Sequence, residues 1–351
     1  MANSKKKRKS PILWMILAFG GILAFMIISN YRSSCVYEFS SPGGGVSRLT
    51  TIGKSLVAIS VKNEIYVWDW GSLPGHPKVK SVAAQDSIAL SVESQVKILA
   101  VNNGVFTLSN IDDDKEPGPL YLRMEGSFVD LQTSLNAKYA VAGFVVSDVL
   151  GRSIKLGVIE ADSGSISRFV TKSLDENSTA NSVGVSNDGG LLAAAGKTAD
   201  GGWIFVADAE SKEILWEQSI VDCEGLNTVT FSPDGQMLYA AKSDRYICIF
   251  DAGSGKVLKE LEIEKYKTPP NNPQSISCIS VSSDNQLLAA ATVPASRVYI
   301  WDAKNGSRIS VINPGLFTVK GLAFSPDSSL LATGDLIGKN PMRVWKIQDG
   351  R

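Results

Sequence analysis

Short apolar runs separated by turn-forming residues cover most of the chain. The clearest set is the segment TVTFSPDGQMLYAAKSDRYICIFDAGSGKVL at 228–258. Its apolar and polar positions predict four strands, at Thr228–Phe231, Met237–Ala241, Tyr246–Asp251 and Val257–Ile263. Clusters of Ser, Pro, Asp and Gly separate these strands, as in an antiparallel meander. One such sheet cannot bury both of its faces alone, so the pattern predicts neighbouring sheets of the same kind.

The same pattern recurs along the chain. The turn after the first strand returns as VSNDGG at 185–190, VSSDNQ at 281–286 and FSPDSS at 324–329. An acidic residue ends the third strand in five units, at Asp69, Glu160, Asp208, Asp251 and Asp302. With Ser109 and Lys346 in the second and last units, successive positions are 40 to 51 residues apart. This is the period of a propeller blade, and it predicts an all-β fold, a seven-bladed β-propeller of four-stranded antiparallel blades.

The repeats resemble the WD-repeat (WD40-like) family. Trp68-Asp69 and Trp301-Asp302 match the dipeptide that names the family, and Phe250-Asp251 is a conservative variant. The family commonly carries a Gly-His pair whose His joins a hydrogen-bonded tetrad with Ser or Thr, Asp and Trp. The single histidine of this chain, His76, lies instead between the third and fourth strands of unit one. The resemblance therefore implies a propeller without these tetrads, whose blades we expect to be held by apolar packing.

The first residues of the chain have a different composition. Residues 1–9 include the basic run KKKRK, whereas residues 10–31 contain no charge and include PILWMILAFGGILAFMII. This stretch is long enough to cross a bilayer core of ~30 Å as a helix. It predicts one N-terminal transmembrane helix, an uncleaved signal anchor, followed by a short linker at 32–35. A buried soluble helix would need a polar face, and a cleaved signal peptide would need a shorter apolar region with a small-residue cleavage site.

Charge sets the predicted orientation of this anchor. The basic cluster favours a cytoplasmic tail at 1–9 and places the propeller, 36–351, on the extracytoplasmic side of the membrane. Gly20 and Ala24 form a small-xxx-small pair that would permit a weak homodimer through the anchor, although lipid-facing filler is the alternative. Lys plus Arg equals Asp plus Glu at 35 each, so the global charge gives no indication of a nucleic-acid partner.

The last unit lacks a fourth strand of its own. Its third strand is predicted at 342–347, close to the end of the sequence. Propellers of the WD-repeat family are often closed by an N-terminal strand, and 36–39 is the available segment. We expect this strand to complete the last blade, because an unpaired sheet edge is otherwise exposed. Such closure would also hold the propeller close to the bilayer.

The predicted partner-binding residues lie on one face. In the WD-repeat family, the loops between second and third strands share a face with the connectors between blades. This places the longer inserts, such as those at 147–152 and 197–202, beside the connector at 264–274. Aromatic and Arg side chains dominate the binding energy of interfaces. The predicted partner-binding set is Trp203, Arg245, Tyr246, Tyr266, Lys267, Arg297 and Lys339.

Catalytic chemistry has little support in the sequence. His76 lies between Gly75 and Pro77 and is expected to be a loop residue rather than a general base. The four cysteines, Cys35, Cys223, Cys248 and Cys278, lack the C-x-x-C spacing of a zinc site, and their spacing does not pair them as disulfides. We therefore expect no catalytic residue, no metal and no cofactor.

Three function classes follow from these observations. The favoured one is a non-catalytic, membrane-tethered scaffold that binds a protein or peptide partner through its loop face, without nucleic acid. The second is a quinoprotein-like (PQQ-repeat) propeller, because the segment 208–216, DAESKEILW, resembles that family's repeat. The third is a lactonase-like metal-dependent hydrolase, which would need Asp, Glu, Asn or His at the mouth of the central channel. The strands nearest the channel are predicted to be mostly apolar.

Overall fold

The computed structural model describes the propeller part of the chain. The described residues are 35–39, 44–82, 86–92, 95–112, 118–149, 151–265, 274–294, 296–314, 318–337 and 341–347. The predicted tail, anchor and homodimer contact, all within 1–34, lie outside them. Within the described ranges, no helix has the length and apolar character needed to span a membrane.

Seven four-stranded antiparallel sheets make up the described part of the chain, and each sheet is one blade. We name the strands of a blade a, b, c and d. Blade one contains β2 (Val46–Ile52), β3 (Ser55–Ser60), β4 (Glu64–Asp69) and β5 (Lys78–Ser81), with a 3-10 turn at Trp70–Ser72. Blade two contains β6 (Asp86–Val92), β7 (Gln95–Asn102), β8 (Val105–Asn110) and β9 (Gly118–Arg123). Blade three contains β10 (Ser127–Thr133), β11 (Tyr139–Asp148), β12 (Gly151–Glu160) and β13 (Ile166–Leu174).

The remaining blades follow the same order. Blade four contains β14 (Thr179–Val185), β15 (Leu191–Lys197), β16 (Gly202–Asp208) and β17 (Ile214–Ile220). Blade five contains β18 (Leu226–Phe231), β19 (Met237–Lys242), β20 (Tyr246–Asp251) and β21 (Val257–Glu262). Blade six contains β22 (Ser275–Val281), β23 (Leu287–Val293), β24 (Val298–Asp302) and β25 (Arg308–Ile312). Blade seven contains β26 (Val319–Phe324), β27 (Leu330–Asp335), β28 (Met342–Lys346) and, as strand d, β1 (Cys35–Phe39).

The ring is closed where β1 joins blade seven. β1 runs antiparallel to β28, with Glu38 opposite Arg343 and Phe39 opposite Met342. Arg343 Nε donates to Glu38 Oε1 at 3.1 Å. The ring of Phe39 packs edge-on against Trp68 of blade one, with centroids 5.3 Å apart. The first described strand therefore contacts both the last blade and the first.

A repeated Ser-x-Asp turn connects strands a and b. In blade five, Ser232 Oγ donates to Asp234 Oδ1 at 2.5 Å and accepts from the Met237 amide at 2.9 Å. Blades four, six and seven repeat this arrangement with the pairs Ser186/Asp188, Ser282/Asp284 and Ser325/Asp327. Blade three builds the same turn from Ser134 and Asn136, with Ala137 at φ 55° where the other four turns have Gly twice, Asn once and Ser once. Blade three therefore has the same turn although its sequence lacks the Ser-x-Asp motif.

Apolar packing fills the space between blades. Strand c carries stacked aromatic pairs two residues apart, with ring centroids 5.7 to 6.0 Å apart, within the range of favourable aromatic contacts. These pairs are Tyr66–Trp68, Trp203–Phe205 and Tyr299–Trp301. Trp216 of blade four stacks on Phe250 of blade five, and its Nε1 donates to the Ala252 carbonyl at 2.7 Å. Trp216, the residue behind the quinoprotein-like alternative, therefore joins two blades.

Hydrogen bonds between blades supplement this packing, which corrects the expectation of apolar contacts alone. At the a–b turns, Asn187 Nδ2 donates to the Pro233 carbonyl at 2.7 Å, and Ser283 Oγ donates to the Pro326 carbonyl at 2.9 Å. Each bond joins a turn to the equivalent turn of the next blade. These hydrogen bonds therefore link neighbouring blades in a chain whose sequence lacks the Gly-His tetrads.

The insert predicted at 147–152 is not a loop. β11 and β12 are ten residues long each and pair from Tyr139 opposite Glu160 to Asp148 opposite Gly151. Within it, Ser147 pairs with Arg152 and Asp148 pairs with Gly151, so the insert extends blade three as a hairpin.

Candidate functional site

The antiparallel blades give the propeller two unlike faces. The a–b and c–d turns lie together on one face, which we call the turn face. The b–c loops and the d–a connectors lie on the opposite face, which we call the loop face. In blade one, the turn at Gly53 and Lys54 belongs to the turn face, and the loop 61–63 belongs to the loop face. His76 lies between β4 and β5, and so on the turn face.

Exposed apolar side chains distinguish the two faces. Among the described residues, the large exposed apolar side chains occur either on strands d or at the loop face. The loop-face members, which we call the apolar arc, are Val61 (50% exposed), Val105 (39%), Val149 (102%), Val221 (63%) and Ile337 (60%). They lie on blade seven, blades one to three and the connector after blade four. Loops held on a rigid frame are the positions where binding residues most often lie.

The centre of the ring is a channel walled by strands a. Its cavity of about 430 Å³ is lined by residues of blades one to seven. Polar side chains such as Gln132, Thr228, Thr230 and Ser280 line it together with apolar ones such as Ile279. Apolar and polar residues therefore share the lining of the channel. The period of two along strands a turns their alternate, more polar residues inward.

An ion pair crosses the mouth of the channel at the loop face. Arg48 of blade one donates to Asp130 Oδ1 of blade three at 3.0 Å. Asp130 Oδ1 also accepts from the Leu131 amide at 2.9 Å, and Oδ2 accepts from Gln132 Nε2 at 3.1 Å. The Val183 amide of blade four donates to Oδ2 at 3.3 Å. One carboxylate, on a side chain that is 11% exposed, therefore connects three blades.

Bulge residues continue this polar rim around the mouth. Asn181, Asn227 and Ser277 each occupy the extra position of a β-bulge in strand a. Asn181 Nδ2 donates to the Leu226 carbonyl at 2.9 Å, and Asn227 Nδ2 donates to the Ile276 carbonyl at 3.1 Å. Ser277 Oγ donates to the Val319 carbonyl at 2.7 Å. A bulge re-aims one side chain, here toward the next blade.

These donors do not fit a metal ion. In the described part of the chain, no group of three or more His, Cys, Asp or Glu side chains is arranged around a common point. Asp130, the carboxylate that lines the mouth, already accepts from Arg48, whose positive charge occupies the place a cation would need. Asn181 and Asn227 are committed to backbone carbonyls. The polar groups at the mouth therefore hold neighbouring blades together by hydrogen bonds and an ion pair.

Arg245 and Tyr246 lie together on the loop face of blade five. Arg245 Nη1 donates to Glu262 Oε1 at 2.6 Å and to the Ile263 carbonyl at 3.1 Å. The Tyr246 hydroxyl donates to the same Glu262 oxygen at 3.2 Å, and the Arg245 guanidinium lies 5.4 Å from the Tyr246 ring centre. The bond from Arg245 holds the pKa of Glu262 below its ordinary value. The two predicted residues thus form a pre-ordered, charge-compensated group.

The other predicted partner-binding residues do not join this group. Trp203 is buried, 8% exposed, and its Nε1 donates to the Thr179 carbonyl at 3.1 Å. It is a core residue, which corrects its assignment to the surface. Arg297 closes the b–c loop of blade six, where its carbonyl accepts from the Thr292 amide at 2.9 Å. Three predicted residues lie outside the described ranges: Tyr266, Lys267 and Lys339.

The four cysteines are free thiols. Burial raises the pKa of the Cys248 thiol to about 12, and burial together with the nearby Glu38 raises that of Cys35 to about 11. Such thiols stay protonated near neutral pH and are poor nucleophiles.

Sequence reasoning did not find the apolar arc. The available signal was an apolar residue at a predicted loop tip, as at Val149 between Asp148 and Leu150. Of the aromatic and cationic residues predicted instead, those that the structure describes are either buried, as Trp203 is, or already paired, as Arg245 is.

Comparison with known proteins agrees with this architecture. The family model "WD domain, G-beta repeat" matches residues 218–251, which include most of blade five. A solved structure, the Cps50 (Swd1) β-propeller domain of Myceliophteria thermophila, aligns with a TM-score of 0.66 and 16% identity. The alignment covers 90% of this chain and 99% of that domain, so it shows that the fold is shared.

Curated relatives share only part of their length with the chain. A periodic tryptophan protein 2 homolog of Dictyostelium discoideum is 21% identical over 52% of this chain and 19% of its own length. A chromatin assembly factor 1 subunit of Gallus gallus is 25% identical over 36% of this chain and 24% of its own length. An uncharacterized WD repeat-containing protein of Synechocystis sp. is 26% identical over 41% of this chain and 39% of its own length. The chain thus spans less than half the length of each.

Fold and comparisons together define the class of protein. The chain is an all-β propeller of four-stranded antiparallel blades, and its residues 218–251 match the WD40 family model. A WD-repeat propeller is a protein-interaction type of fold, in which a rigid ring presents its loops to other molecules.

Proposed function

We propose that the protein is a membrane-tethered, non-catalytic scaffold whose loop face binds a protein or peptide partner. The observation that carries this proposal is the apolar arc. Away from strands d, the exposed large apolar side chains of the described residues lie on the loop face. Burying five such side chains against a partner stabilises a complex at roughly 25 cal/mol per Å² of apolar area covered.

The rest of the loop face supports binding rather than chemistry. The mouth carries a braced ion pair between Arg48 and Asp130, and blade five presents the ordered Arg245–Glu262 pair. Both arrangements hold polar groups in one geometry before a partner arrives, which lowers the ordering cost of association. One relative is named as part of a chromatin assembly factor, which agrees with a role within an assembly.

The tether is the second part of the proposal. The uncharged stretch at 10–31 would span the bilayer, with the basic tail at 1–9 in the cytoplasm and the propeller on the extracytoplasmic side. Three residues, 32–34, separate this stretch from Cys35, the first residue of β1. The scaffold would therefore recruit its partner to the membrane surface.

Site-specific photo-crosslinking tests the binding face. The full-length protein would carry a photoreactive side chain at Val61 or Val149 on the loop face. Matched probes would replace Lys54 or Lys138, which are exposed on the turn face of the same blades. We expect the same partner adduct at positions 61 and 149 and none at 54 and 138. Adducts confined to the turn face would overturn the proposed binding surface.

A binding variant completes the test. Val61→Asp with Val149→Asp should weaken capture of the partner by about tenfold or more, because charge is then buried in an apolar contact. Lys54→Asp with Lys138→Asp is the control, with the same number of substitutions to Asp on the turn face. It should bind the partner like the native protein. Trp203→Ala is unsuitable for this purpose, because Trp203 is a core residue.

A further inference from the structure

The direction of β1 determines on which face the N-terminal segment enters the propeller. β28 begins at Met342, after the b–c loop, and runs to Lys346 at the turn face. β1 is antiparallel to it, with Cys35 opposite Trp345 and Phe39 opposite Met342. Cys35 therefore lies at the turn-face end of blade seven, and the chain leaves β1 at the loop face.

The length of the linker limits where the predicted anchor ends. Three extended residues, 32–34, reach at most ~11 Å at about 3.6 Å per residue. β1 has five residues and is about 17 Å long at roughly 3.4 Å per residue. The linker is thus shorter than the distance from Cys35 to the loop face along the outside of blade seven.

The two faces also differ in chemistry. On the turn face, the carboxylates of Asp188, Asp234 and Asp327 accept hydrogen bonds from the hydroxyls and amides of their own turns. The apolar arc lies at the opposite face, beyond the reach of an anchor that ends at residue 31.

We infer that the propeller stands on the membrane with its turn face toward the bilayer and its loop face directed away. This inference rests on the anchor in the proposed function. It adds that the partner contacts the apolar arc from the aqueous compartment, at least one blade height above the lipid headgroups. The partner surface is therefore that of a soluble protein or soluble domain, rather than a segment embedded in the same bilayer.

Fluorescence quenching at two matched positions tests this orientation. The full-length protein would be reconstituted into phosphatidylcholine vesicles that contain a headgroup-linked quencher. A bio-orthogonal side chain at Lys54 or Lys62 would carry the fluorophore, which leaves the four cysteines unchanged. Both lysines are exposed, and they lie at opposite ends of β3 in blade one, beside blade seven. A second pair, Lys138 and Val149, lies at opposite ends of β11 in blade three.

The expected result is stronger quenching at 54 than at 62, and at 138 than at 149. β3 has six residues and separates its probes by about 20 Å, a distance over which contact quenching falls to background. Equal quenching within each pair, or the reverse order, would overturn the orientation and leave the anchor intact. Protein that does not co-float with the vesicles would overturn the anchor and the orientation together. Neither result alters the crosslinking test of the binding face.

Discussion

Arg48 and Asp130 join blade one to blade three across the mouth of the channel, with Nη2 and Oδ1 3.0 Å apart. Their side chains are 26% and 11% exposed. Asp130 also accepts from the amides of Leu131 and Val183, so its carboxylate is held by groups from three blades. Contacts among three blades therefore depend on the charge of the Asp130 carboxylate.

Substitutions at this pair should destabilise the propeller unequally. Arg48→Met should cost about 1–2 kcal/mol, since Asp130 keeps its other donors. Asp130→Ala should cost about 2–4 kcal/mol, because it removes the acceptor shared by Arg48, the Gln132 side chain and two backbone amides. Urea denaturation measures both values. The exposed pair Arg308–Glu264, at 3.4 Å, is the control, and Arg308→Met should cost less than about 1 kcal/mol. Equal losses for Asp130→Ala and Arg308→Met would contradict this account.

The Ser-x-Asp turn predicts a second effect on stability. Ser232 is fully buried, and its hydroxyl both donates to Asp234 and accepts from the Met237 amide. Ser232→Ala should lower the free energy of unfolding by about 1–3 kcal/mol, because the amide loses its partner inside the protein. Ser173→Ala, at an exposed position of β13, should change it by less than about 0.5 kcal/mol. Thermal or urea unfolding of the two variants compares them directly, and similar losses would show that the turn hydroxyl is dispensable.

The same turns predict a dependence on pH. Hydrogen bonds from the hydroxyls of Ser186 and Ser325 lower the pKa of Asp188 and Asp327 below the ordinary value of 3.8. A carboxylate with a lowered native pKa contributes stability above the unfolded pKa, and this contribution is lost as the pH falls through the native value. The free energy of unfolding should therefore decrease below about pH 4. Urea midpoints at pH 6, 4 and 3 measure the decrease.

A double variant isolates this contribution. Ser186→Ala with Ser325→Ala should make the decrease between pH 4 and pH 3 smaller, because the native and unfolded pKa values of both aspartates then converge. Ser173→Ala should retain the native pH profile. An unchanged profile in the double variant would assign the acid sensitivity to other groups.

Closure of the ring by β1 predicts a further difference. Phe39 is 9% exposed and packs against Trp68 of the next blade, whereas Val36 on the same strand is 43% exposed. Phe39→Ala should cost about 3–5 kcal/mol, as for other truncations of a core Phe to Ala. Val36→Ala should cost less than about 0.5 kcal/mol. Melting curves of the full-length protein test the pair, and a native-like curve for Phe39→Ala would mean that β1 does not hold the ring together.

The sequence by itself determined the repeating architecture. Alternation along strands such as β18 and the Ser-Pro-Asp-Gly cluster at 232–235 are local signals, because a strand pairs with the neighbour that its turn supplies. Counting these signals predicts four-stranded blades and their number. The turn of blade three was not found in this way. Its Asn136 replaces the Asp of the Ser-x-Asp motif, and Ala137 takes the following position, but the turn geometry is the same.

Only the tertiary structure decided which residues are surface and which are core. Trp203 follows a predicted loop but stacks on Phe205 in the apolar cluster that blade four shares with blade three. Val149 is exposed because it lies at the end of the long hairpin formed by β11 and β12. In the sequence, Asp130 is an isolated acidic residue. In the structure, groups from three blades donate hydrogen bonds to its carboxylate. Exposure and pairing of this kind depend on contacts between sheets that lie tens of residues apart, and no local pattern encodes those contacts. Turns and strands follow from neighbours in sequence, while burial and exposure follow from neighbours in space.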